Sequence, residues 1–348
     1  MTSKITAKKG RHTIRDIAQM AGVSRSTVSL AINDSPKINA DTKKKITDLI
    51  DKVGYRPNQT ARNLVRRSTE TICVVLPQIS HVVSNAYFSE SLSGILDVAT
   101  EQGYHLLVKE ASAEFKEGRQ ALKLFRQGLM DGVLVVGALT NDKYISELAA
   151  AGCPVVLVNS TLPGVDYVIS DNETAAFKAV EHLHKLGHRR IAHIRGSEFV
   201  TGALDRTAGY LKALDAFGLP KLDNYLAQGY FDKQSGFDAT KWLLTAPERP
   251  TAIFTTNDMM ALGAIEAIRA AGLRVPEDIA IFGGDNIQLA PYVSPALSTL
   301  EQPMDQIAQA ACQRLLNRMT GEPVGKPPVI HLDLVIRESC GAKLGARG

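Results

Sequence analysis

The stretch Thr13–Asn33, TIRDIAQMAGVSRSTVSLAIN, decides the fold of the first part of this chain. Thr13 stands at an N-cap position three residues before Asp16, and apolar residues then recur at helical spacing. Gly22 tolerates the backbone conformation that ends a helix, and Ser24 can accept the free N–H groups that begin another. The stretch therefore predicts two short helices around a tight turn, which is the arrangement of a helix-turn-helix DNA reader.

The second of these helices is predicted to turn a polar face outward. Val28, Ala31 and Ile32 form its apolar side. Helical geometry directs the other side chains away from that side, and these are Arg25, Ser26, Thr27, Ser29 and Leu30. A face of this kind can enter the major groove of DNA.

A third helix is predicted from about Asn39 to Val53, with Gly54 in the position that favours a left-handed residue. Three such helices can close one small core. A generic three-helix bundle or a surface helical hairpin would show the same apolar pattern, so the pattern alone leaves both open.

The distribution of charge favours the DNA-binding interpretation. Residues 1–68 contain 15 Lys or Arg and 5 Asp or Glu, whereas the other 280 residues contain 25 basic and 31 acidic ones. The net charges are therefore +10 and −6. A basic module binds phosphates, and the acidic remainder would be repelled by them.

The segment between this head and the rest of the chain is predicted to be a hinge. Pro57 and Asn58 would begin a helix of about two turns that ends near Leu64, too short to be stable alone in water. Ala61 and Leu64 give it an apolar edge, and the basic residues Arg62, Arg66 and Arg67 can contact phosphates. A plain tether is the alternative, but the pattern suits a minor-groove helix with Leu64 as its wedge.

From Thr71 onward, short apolar runs alternate with amphipathic segments. The predicted strands are 72–76, 105–108, 132–136, 155–158, 167–169, 191–194, 252–255 and 279–282. Apolar strands joined by helices indicate parallel sheets covered on both faces. Eight such units exceed one compact domain, so the predicted fold is an all-α head followed by an α/β body of two doubly wound parallel-sheet lobes.

Polar residues follow several of these strands, where ligands bind in open parallel sheets. They are Gln78, Asn159, Asp171, Asn257, Asp258, Asp285 and Asn286. Amides and carboxylates with few balancing cations suit neutral, hydroxyl-rich ligands better than phosphates, although polar strand ends are common in α/β proteins. The pattern favours a neutral, hydroxyl-rich ligand over a phosphate.

The sequence offers no catalytic motif. It contains no GxSxG elbow, no GxxxxGK[ST] loop and no GxGxxG after the first strand. His182, His184 and His188 would splay around a helix without an acidic partner, which disfavours a metal site. We therefore predict no enzyme activity, no cofactor and no metal.

Composition predicts a cytoplasmic protein. The first ten residues contain no apolar signal region, and no apolar run is long enough to cross a membrane. The four cysteines are scattered, which predicts free, buried thiols: Cys73, Cys153, Cys312 and Cys340.

The chain resembles the LacI family of bacterial transcriptional repressors from Thr13 to about Arg337. The motifs that carry the resemblance are IRDIA (14–18), GVSRSTVSL (22–30), GYRPN (54–58), ARNL (61–64), LGHRRIA (186–192), RTAGY (206–210), NDMMALG (257–263), PEDIAIFG (276–283) and PALSTLEQP (295–303). The resemblance implies a homodimer that binds a near-palindromic operator through two heads, with a small effector closing the cleft between the lobes. It also implies that Leu64 of each chain intercalates in the central minor groove.

The resemblance assigns roles to individual residues. Arg25, Ser26 and Leu30 fall on base-reading positions, and the full predicted DNA interface is Thr13, Ser24, Arg25, Ser26, Thr27, Ser29, Leu30, Asn33, Tyr55, Asn58, Ala61, Arg62 and Leu64. The expected effector-binding residues are Tyr87, Phe88, Asn159, Arg206, Phe231, Asn257 and Asp285.

Three residues depart from the family pattern. Leu30 stands where Arg or His is usual and can read a base only by apolar contact, for example with a thymine methyl. Asn159 stands where Asp is frequent. Gly284 replaces an aromatic residue, which predicts more open space beside Asp285.

These observations predict three regions: a DNA-binding domain at 1–56, a hinge helix and linker at 57–69, and a two-lobed effector-binding and dimerisation domain at 70–348. The predicted function is a sequence-specific transcriptional regulator, most simply a repressor that binds its operator as a dimer. Its predicted effector is a small molecule in the cleft between the lobes, which the resemblance implies is a sugar or a sugar derivative. The alternative is a sugar-binding receptor of the periplasmic type without a role in gene regulation. The basic head and the missing signal region argue against that alternative.

Overall fold

The computed structural model describes residues 12–32, 34–55 and 68–342 and divides the chain into two compact units, Met1–Thr69 and Glu70–Gly348. The predicted hinge residues Asn58, Ala61, Arg62 and Leu64, together with Asn33, lie outside the described residues.

Among its described residues, the first unit contains three helices: α1 (Ile14–Ala21), α2 (Arg25–Ile32) and α3 (Ala40–Val53). Local sequence signals set their ends. Thr13 and Asp16 form a capping box on α1, and Gly22 ends that helix with a φ of 70°. Asn39 caps α3 and Gly54 ends it with a φ of 64°, as predicted.

One small core joins the three helices. Its buried members are Ile17, Ala18, Ala21, Val28, Ala31, Ile46 and Tyr55. All three helices contribute, so neither of the two short helices has to be stable alone.

The second unit is built from twelve strands and nine helices within the described residues. The strands are β1 (Thr71–Pro77), β2 (His105–Ala111), β3 (Gly132–Val136), β4 (Val155–Val158), β5 (Asp166–Ser170), β6 (Ile191–Arg195), β7 (Leu226–Gln228), β8 (Ala252–Thr255), β9 (Ala280–Phe282), β10 (Thr299–Leu300), β11 (Val329–Ile330) and β12 (Leu334–Val335). The α-helices are α4 (Ala86–Glu101), α5 (Ala113–Glu117), α6 (Gln120–Arg126), α7 (Lys143–Ala150), α8 (Asn172–Lys185), α9 (Thr201–Ala216), α10 (Lys233–Leu243), α11 (Asp258–Ala270) and α12 (Met304–Thr320). Two short 3₁₀ turns lie at Val82–Ser84 and Asp223–Tyr225.

The strands form two parallel sheets and one short antiparallel pair. The first sheet has the order β11-β5-β4-β3-β1-β2, the second has the order β7-β6-β8-β9, and β10 pairs with β12. Each larger sheet reverses its strand order beside its first strand, between β1 and β3 and between β6 and β8. Ligands of doubly wound sheets bind at the carboxyl ends of strands at such reversals. The predicted two-lobed α/β architecture is confirmed.

The chain passes between the lobes three times. It leaves the first sheet after β5 and enters α8, returns between β10 and α12, and crosses again between β11 and β12. Packing places α8 in the core of the second lobe and α12 in the core of the first. These three crossings are called the crossovers below.

The four cysteines are free and buried, as predicted. None of the described helices combines the length and the apolar composition needed to cross a membrane.

Candidate DNA-reading face and ligand site

Helix α2 presents the polar face that the sequence predicts. Val28 and Ala31 are buried in the core of the head, whereas Arg25 and Ser26 are exposed. The Ser24 hydroxyl accepts the Thr27 N–H at 3.1 Å, which satisfies a free donor at the start of the helix. Thr27, Ser29 and Leu30 are half-buried, and Leu30 is not part of the head core.

Two of the residues predicted at the DNA interface make contacts within the head itself. Thr13 uses its hydroxyl and its N–H to bond the Asp16 carboxylate, at 2.9 and 2.8 Å. These hydrogen bonds lower the pKa of Asp16. Tyr55 is buried in the head core. Both residues therefore contribute to the packing or the capping of the head.

The ligand site centres on Arg206 of α9, a buried residue that is 4% exposed. Its Nε donates to Asn172 Oδ1 at 2.8 Å, and its Nη1 donates to Asp285 Oδ1 at 3.2 Å. Nη1 also bonds the Thr256 carbonyl, and Nη2 bonds the Gln302 side-chain oxygen. Four protein acceptors thus hold one guanidinium.

Two of those acceptors lie in crossovers. Asn172 begins α8 directly after the first crossover, and Gln302 lies in the second crossover between β10 and α12. Asp285 and Thr256 belong to the second lobe, where Thr256 follows β8 directly and Asp285 lies two residues beyond Gly283 at the end of β9. Arg206 therefore connects the strand ends of one lobe to the segments that join the two lobes.

The Asp258 carboxylate shapes the loop that carries Asp285. Its Oδ1 accepts the N–H groups of Gly284 and Asp285 at 2.7 and 3.2 Å, and its Oδ2 accepts that of Ile287 at 2.9 Å. The Thr299 hydroxyl donates to the same carboxylate. Donors surround Asp258 on every side, which suits an ionised acceptor, although burial raises its pKa. Burial also raises the pKa of Asp285 to about 6, while the adjacent Arg206 charge lowers it.

Tyr87, Phe88 and Asn159 gather in the first lobe. The two aromatic rings meet edge to face with centroids 5.0 Å apart. Asn159 donates to the Tyr87 hydroxyl at 3.3 Å and accepts the N–H and the hydroxyl of Ser170 at 3.0 and 2.7 Å. Burial raises the pKa of Tyr87 to about 12, and the charges of Asp285 and Arg206 also act on it, so these groups of both lobes lie within electrostatic range.

Phe231 and Asn257 form a third part of the site. Phe231 has a φ of 66°, a conformation that a bulky residue adopts rarely. Asn257 donates to the Phe231 carbonyl at 3.0 Å and accepts the Met260 N–H at the start of α11 at 3.0 Å. The amide of Asn257 therefore helps to fix the backbone from which the Phe231 ring projects over Gly196, where an added Cβ would lie 2.4 Å from the ring.

The expected open space beside Asp285 does not exist, and that prediction is wrong. A Cβ on Gly284 would lie 2.3 Å from the Thr256 carbonyl oxygen and 2.7 Å from Arg206 Nη1. The guanidinium occupies the volume that the sequence suggested was empty. The sequence also gave no sign that Asn172, Thr256 and Gln302 would bind Arg206, since each becomes its neighbour only through the crossovers and the second sheet.

An open pocket of about 860 Å³ lies at the carboxyl ends of β1 and β3. It is lined by first-lobe residues, including Gln78, Lys116, Asp142 and Tyr144, and by none of the seven residues predicted to bind an effector. Lys116 and Asp142 form an ion pair at 2.6 Å on its wall.

The histidines of the segment 182–188 have separate partners. His182 lies 3.4 Å from the Cys340 sulfur, and His188 lies 3.0 Å from the Thr251 hydroxyl. Among the described residues, no three metal-binding side chains come together.

Comparison with known proteins agrees with this architecture. The profile of bacterial regulatory proteins of the lacI family matches residues 13–58, and that of the periplasmic binding protein-like domain matches residues 180–340. Catabolite control protein A of Priestia megaterium is 36% identical over 315 residues, which are 90% of this chain and 94% of that protein. The HTH-type transcriptional repressor CytR of Escherichia coli K12 is 35% identical over 334 residues, covering 95% and 96%.

Solved structures give the same result. The lac repressor dimer bound to operator and the anti-inducer ONPF has a TM-score of 0.83 at 27% identity, covering 95% of this chain and 99% of that one. The complex of the transcriptional regulator CelR with cellobiose has a TM-score of 0.73 at 29% identity, covering 94% and 100%.

A helix-turn-helix head followed by two periplasmic-binding-protein-like lobes defines a DNA-binding regulator with a ligand-binding body. The chain belongs to the LacI family of bacterial regulatory proteins, which confirms the resemblance seen in its motifs. It is a DNA-binding transcriptional regulator.

Proposed function

We propose that this protein is a repressor that binds a near-palindromic operator as a homodimer and that a small, hydroxyl-rich effector controls this binding. A sugar or sugar derivative fits best, and the effector would occupy the cleft between the lobes at Tyr87, Phe88, Asn159, Arg206, Phe231, Asn257 and Asp285. Support comes from named relatives that are repressors and from the CelR structure, which is a complex with cellobiose.

One observation carries the effector proposal. Arg206 bonds Asp285 at the strand ends of the second lobe and also bonds Asn172 and Gln302 in two crossovers. A ligand that competes for Asp285 or the guanidinium must therefore change the bonds that Arg206 makes to the segments joining the lobes. A ligand can shift a conformational equilibrium only through such differences in contact between states.

The DNA-reading proposal rests on the outward face of α2. We assign base contacts to Arg25, Ser26 and Leu30 and supporting contacts to Ser24, Thr27 and Ser29. Because Leu30 has no hydrogen-bond donor, we expect it to contact a thymine methyl. The hinge residues Asn58, Ala61, Arg62 and Leu64, with Asn33 and Tyr55 of the head, complete the proposed interface.

The test begins with operators that the purified full-length protein selects from a random DNA library. Fluorescence anisotropy then measures release of the selected operator by sugars, sugar acids, nucleosides and purines. We expect at least one sugar or sugar derivative to weaken or strengthen binding in wild type but not in Asp285→Ala. Asp238→Ala, which removes an exposed carboxylate on α10, is the control and should respond normally. A normal response in Asp285→Ala would contradict the site.

The alternative function, a sugar receptor without a regulatory role, makes a different prediction. A repressor neutralises DNA phosphates and must lose affinity steeply as salt rises, whereas a receptor would show no saturable DNA binding. We propose that the protein acts by binding alone, without catalysis, and works in the cytoplasm, where the operator DNA is.

A further inference from the structure

The structure requires glycine at position 284 because there is no room for a side chain, and not because the backbone adopts a left-handed conformation. Its φ lies outside the left-handed region, but an added Cβ would meet the Thr256 carbonyl oxygen at 2.3 Å and Arg206 Nη1 at 2.7 Å. Both neighbours are buried, and the carbonyl belongs to the backbone directly after β8. A side chain at position 284 would therefore force the guanidinium to move, together with the Thr256 carbonyl or the loop that carries Gly284.

Because Gly284 has no side chain, Arg206 can lie beside it, and most of its N–H groups there donate to protein acceptors. A guanidinium has five N–H donors, and this one makes four bonds, to Asn172, Thr256, Asp285 and Gln302. Within the described residues, one N–H of Arg206 and the second carboxylate oxygen of Asp285 are left for a ligand. A donor beside an acceptor matches hydroxyl groups, each of which can donate and accept.

The charges of Arg206, Asp285 and Asp258, which we call the cluster, also favour a neutral ligand. The Arg206 cation lies 3.2 Å from the Asp285 carboxylate, and the buried Asp258 carboxylate lies directly behind the loop that carries Asp285. The cluster therefore holds one cation against two carboxyl groups. Arg195, at the end of β6, is exposed, so solvent screens its charge. An anionic ligand would lose its hydration without meeting an uncompensated buried cation.

We propose that Gly284 is a specificity-determining residue: by keeping Arg206 on its protein acceptors, it reserves this site for uncharged hydroxyl-bearing ligands and excludes sugar acids and phosphates. This inference rests on the proposed effector function and narrows its ligand class. A regulator in which the corresponding Arg had no protein acceptors could instead bind a carboxylate or a phosphate through two parallel hydrogen bonds.

The test uses neutral and acidic ligands with the same skeleton: galactose and galacturonate, glucose and glucuronate, and adenosine and adenosine monophosphate. Isothermal titration with the full-length protein at physiological salt gives each affinity. In every pair with measurable binding, we expect the neutral member to bind at least tenfold more tightly. Equal or tighter binding of the acid would overturn this inference and leave the effector function standing. No binding by any member of any pair would overturn both.

Variants then test the role of Gly284. Gly284→Ala should lower the ratio of neutral to acid affinity by at least tenfold, because the displaced guanidinium becomes available to an anion. Gly325→Ala is the matched control, since its Cβ would meet open space and its φ is not in the left-handed region. An unchanged ratio in folded Gly284→Ala would overturn the proposal.

A second variant keeps the test decisive if Gly284→Ala does not fold. Asp285→Asn removes the compensating charge without adding bulk, so the same ratio should fall at least tenfold. A merely structural role for Asp285 would weaken both members of a pair equally, and that result would overturn the proposal.

Discussion

Helix α2 and the ligand site differ in how accessible their polar side chains are. On α2, Arg25 and Ser26 are exposed, and a partner can take up their hydrogen-bonding capacity. In the body, Arg206 is 4% exposed and already holds four protein acceptors. Substitutions on the exposed face of α2 should therefore change DNA binding and leave stability intact, whereas substitutions around Arg206 should change ligand binding and stability together.

The largest effect is expected from Arg206→Ala. The variant leaves the Asp285 carboxylate without its cation and three further acceptors without a donor, so the free energy of unfolding should fall by about 3–5 kcal/mol. Urea unfolding followed by the fluorescence of Trp242, the single tryptophan of the chain, reports on the body alone.

The control for that variant is Arg190→Ala, which removes an exposed arginine 3.9 Å from Glu248. Exposed pairs contribute less than about 1 kcal/mol. If Arg206→Ala destabilises the body no more than the control does, the contrast between the two regions is wrong.

A smaller effect is expected from pH. Because the pKa of Asp285 is raised from 3.8 to about 6, its carboxylate is lost as an acceptor below that pH. The affinity for a neutral effector should fall about tenfold for each pH unit below the pKa. Stability should change in the opposite sense: the raised pKa contributes stability that is present below about pH 4 and lost as the pH rises through 6.

Titration calorimetry between pH 5 and 7 measures the effect of protonation on affinity. Asp285→Asn cannot titrate at this position, so its affinity profile should be flat. Asp285 lies in the body and not in the head, so operator binding without effector should depend on pH in the same way in wild type and in Asp285→Asn. A midpoint near 6 that persists in Asp285→Asn would assign the titration to another group.

Leu30→Ala tests the expectation that substitutions on the outward face of α2 change DNA binding but not stability. Leu30 lies outside the head core, so its truncation should leave the stability of the head unchanged while weakening the selected operator by roughly 1 kcal/mol, the lower end of the cost of losing one base contact. Non-specific binding should not change. Met20→Ala, which truncates an exposed apolar side chain on α1, is the control. Equal losses on specific and non-specific DNA would contradict a base contact by Leu30.

The same contrast explains what the sequence could predict. The head depends on signals a few residues apart, such as the Thr13–Asp16 box and Gly54, and these were confirmed. The apolar strands and the two lobes follow from periodicity. The residues around Arg206 come from positions 172, 256, 285 and 302, and no local pattern joins them. The prediction of open space at Gly284 was wrong for the same reason, since that space depends on the Arg206 guanidinium, which is distant in sequence.

The smallest effect separates two roles for a single residue, because Thr13 was predicted to contact DNA and the structure shows it capping α1. As a cap, Thr13→Ala should lower the local stability of the head by about 1 kcal/mol, seen as roughly fivefold faster hydrogen exchange of its helical amides. Thr47→Ala, an exposed change within α3, should not speed exchange, because alanine has the higher helix propensity. Operator affinity should fall by no more than the loss of stability explains, since the cap lies outside α2. A tenfold loss of affinity with unchanged exchange would instead assign Thr13 to the DNA interface.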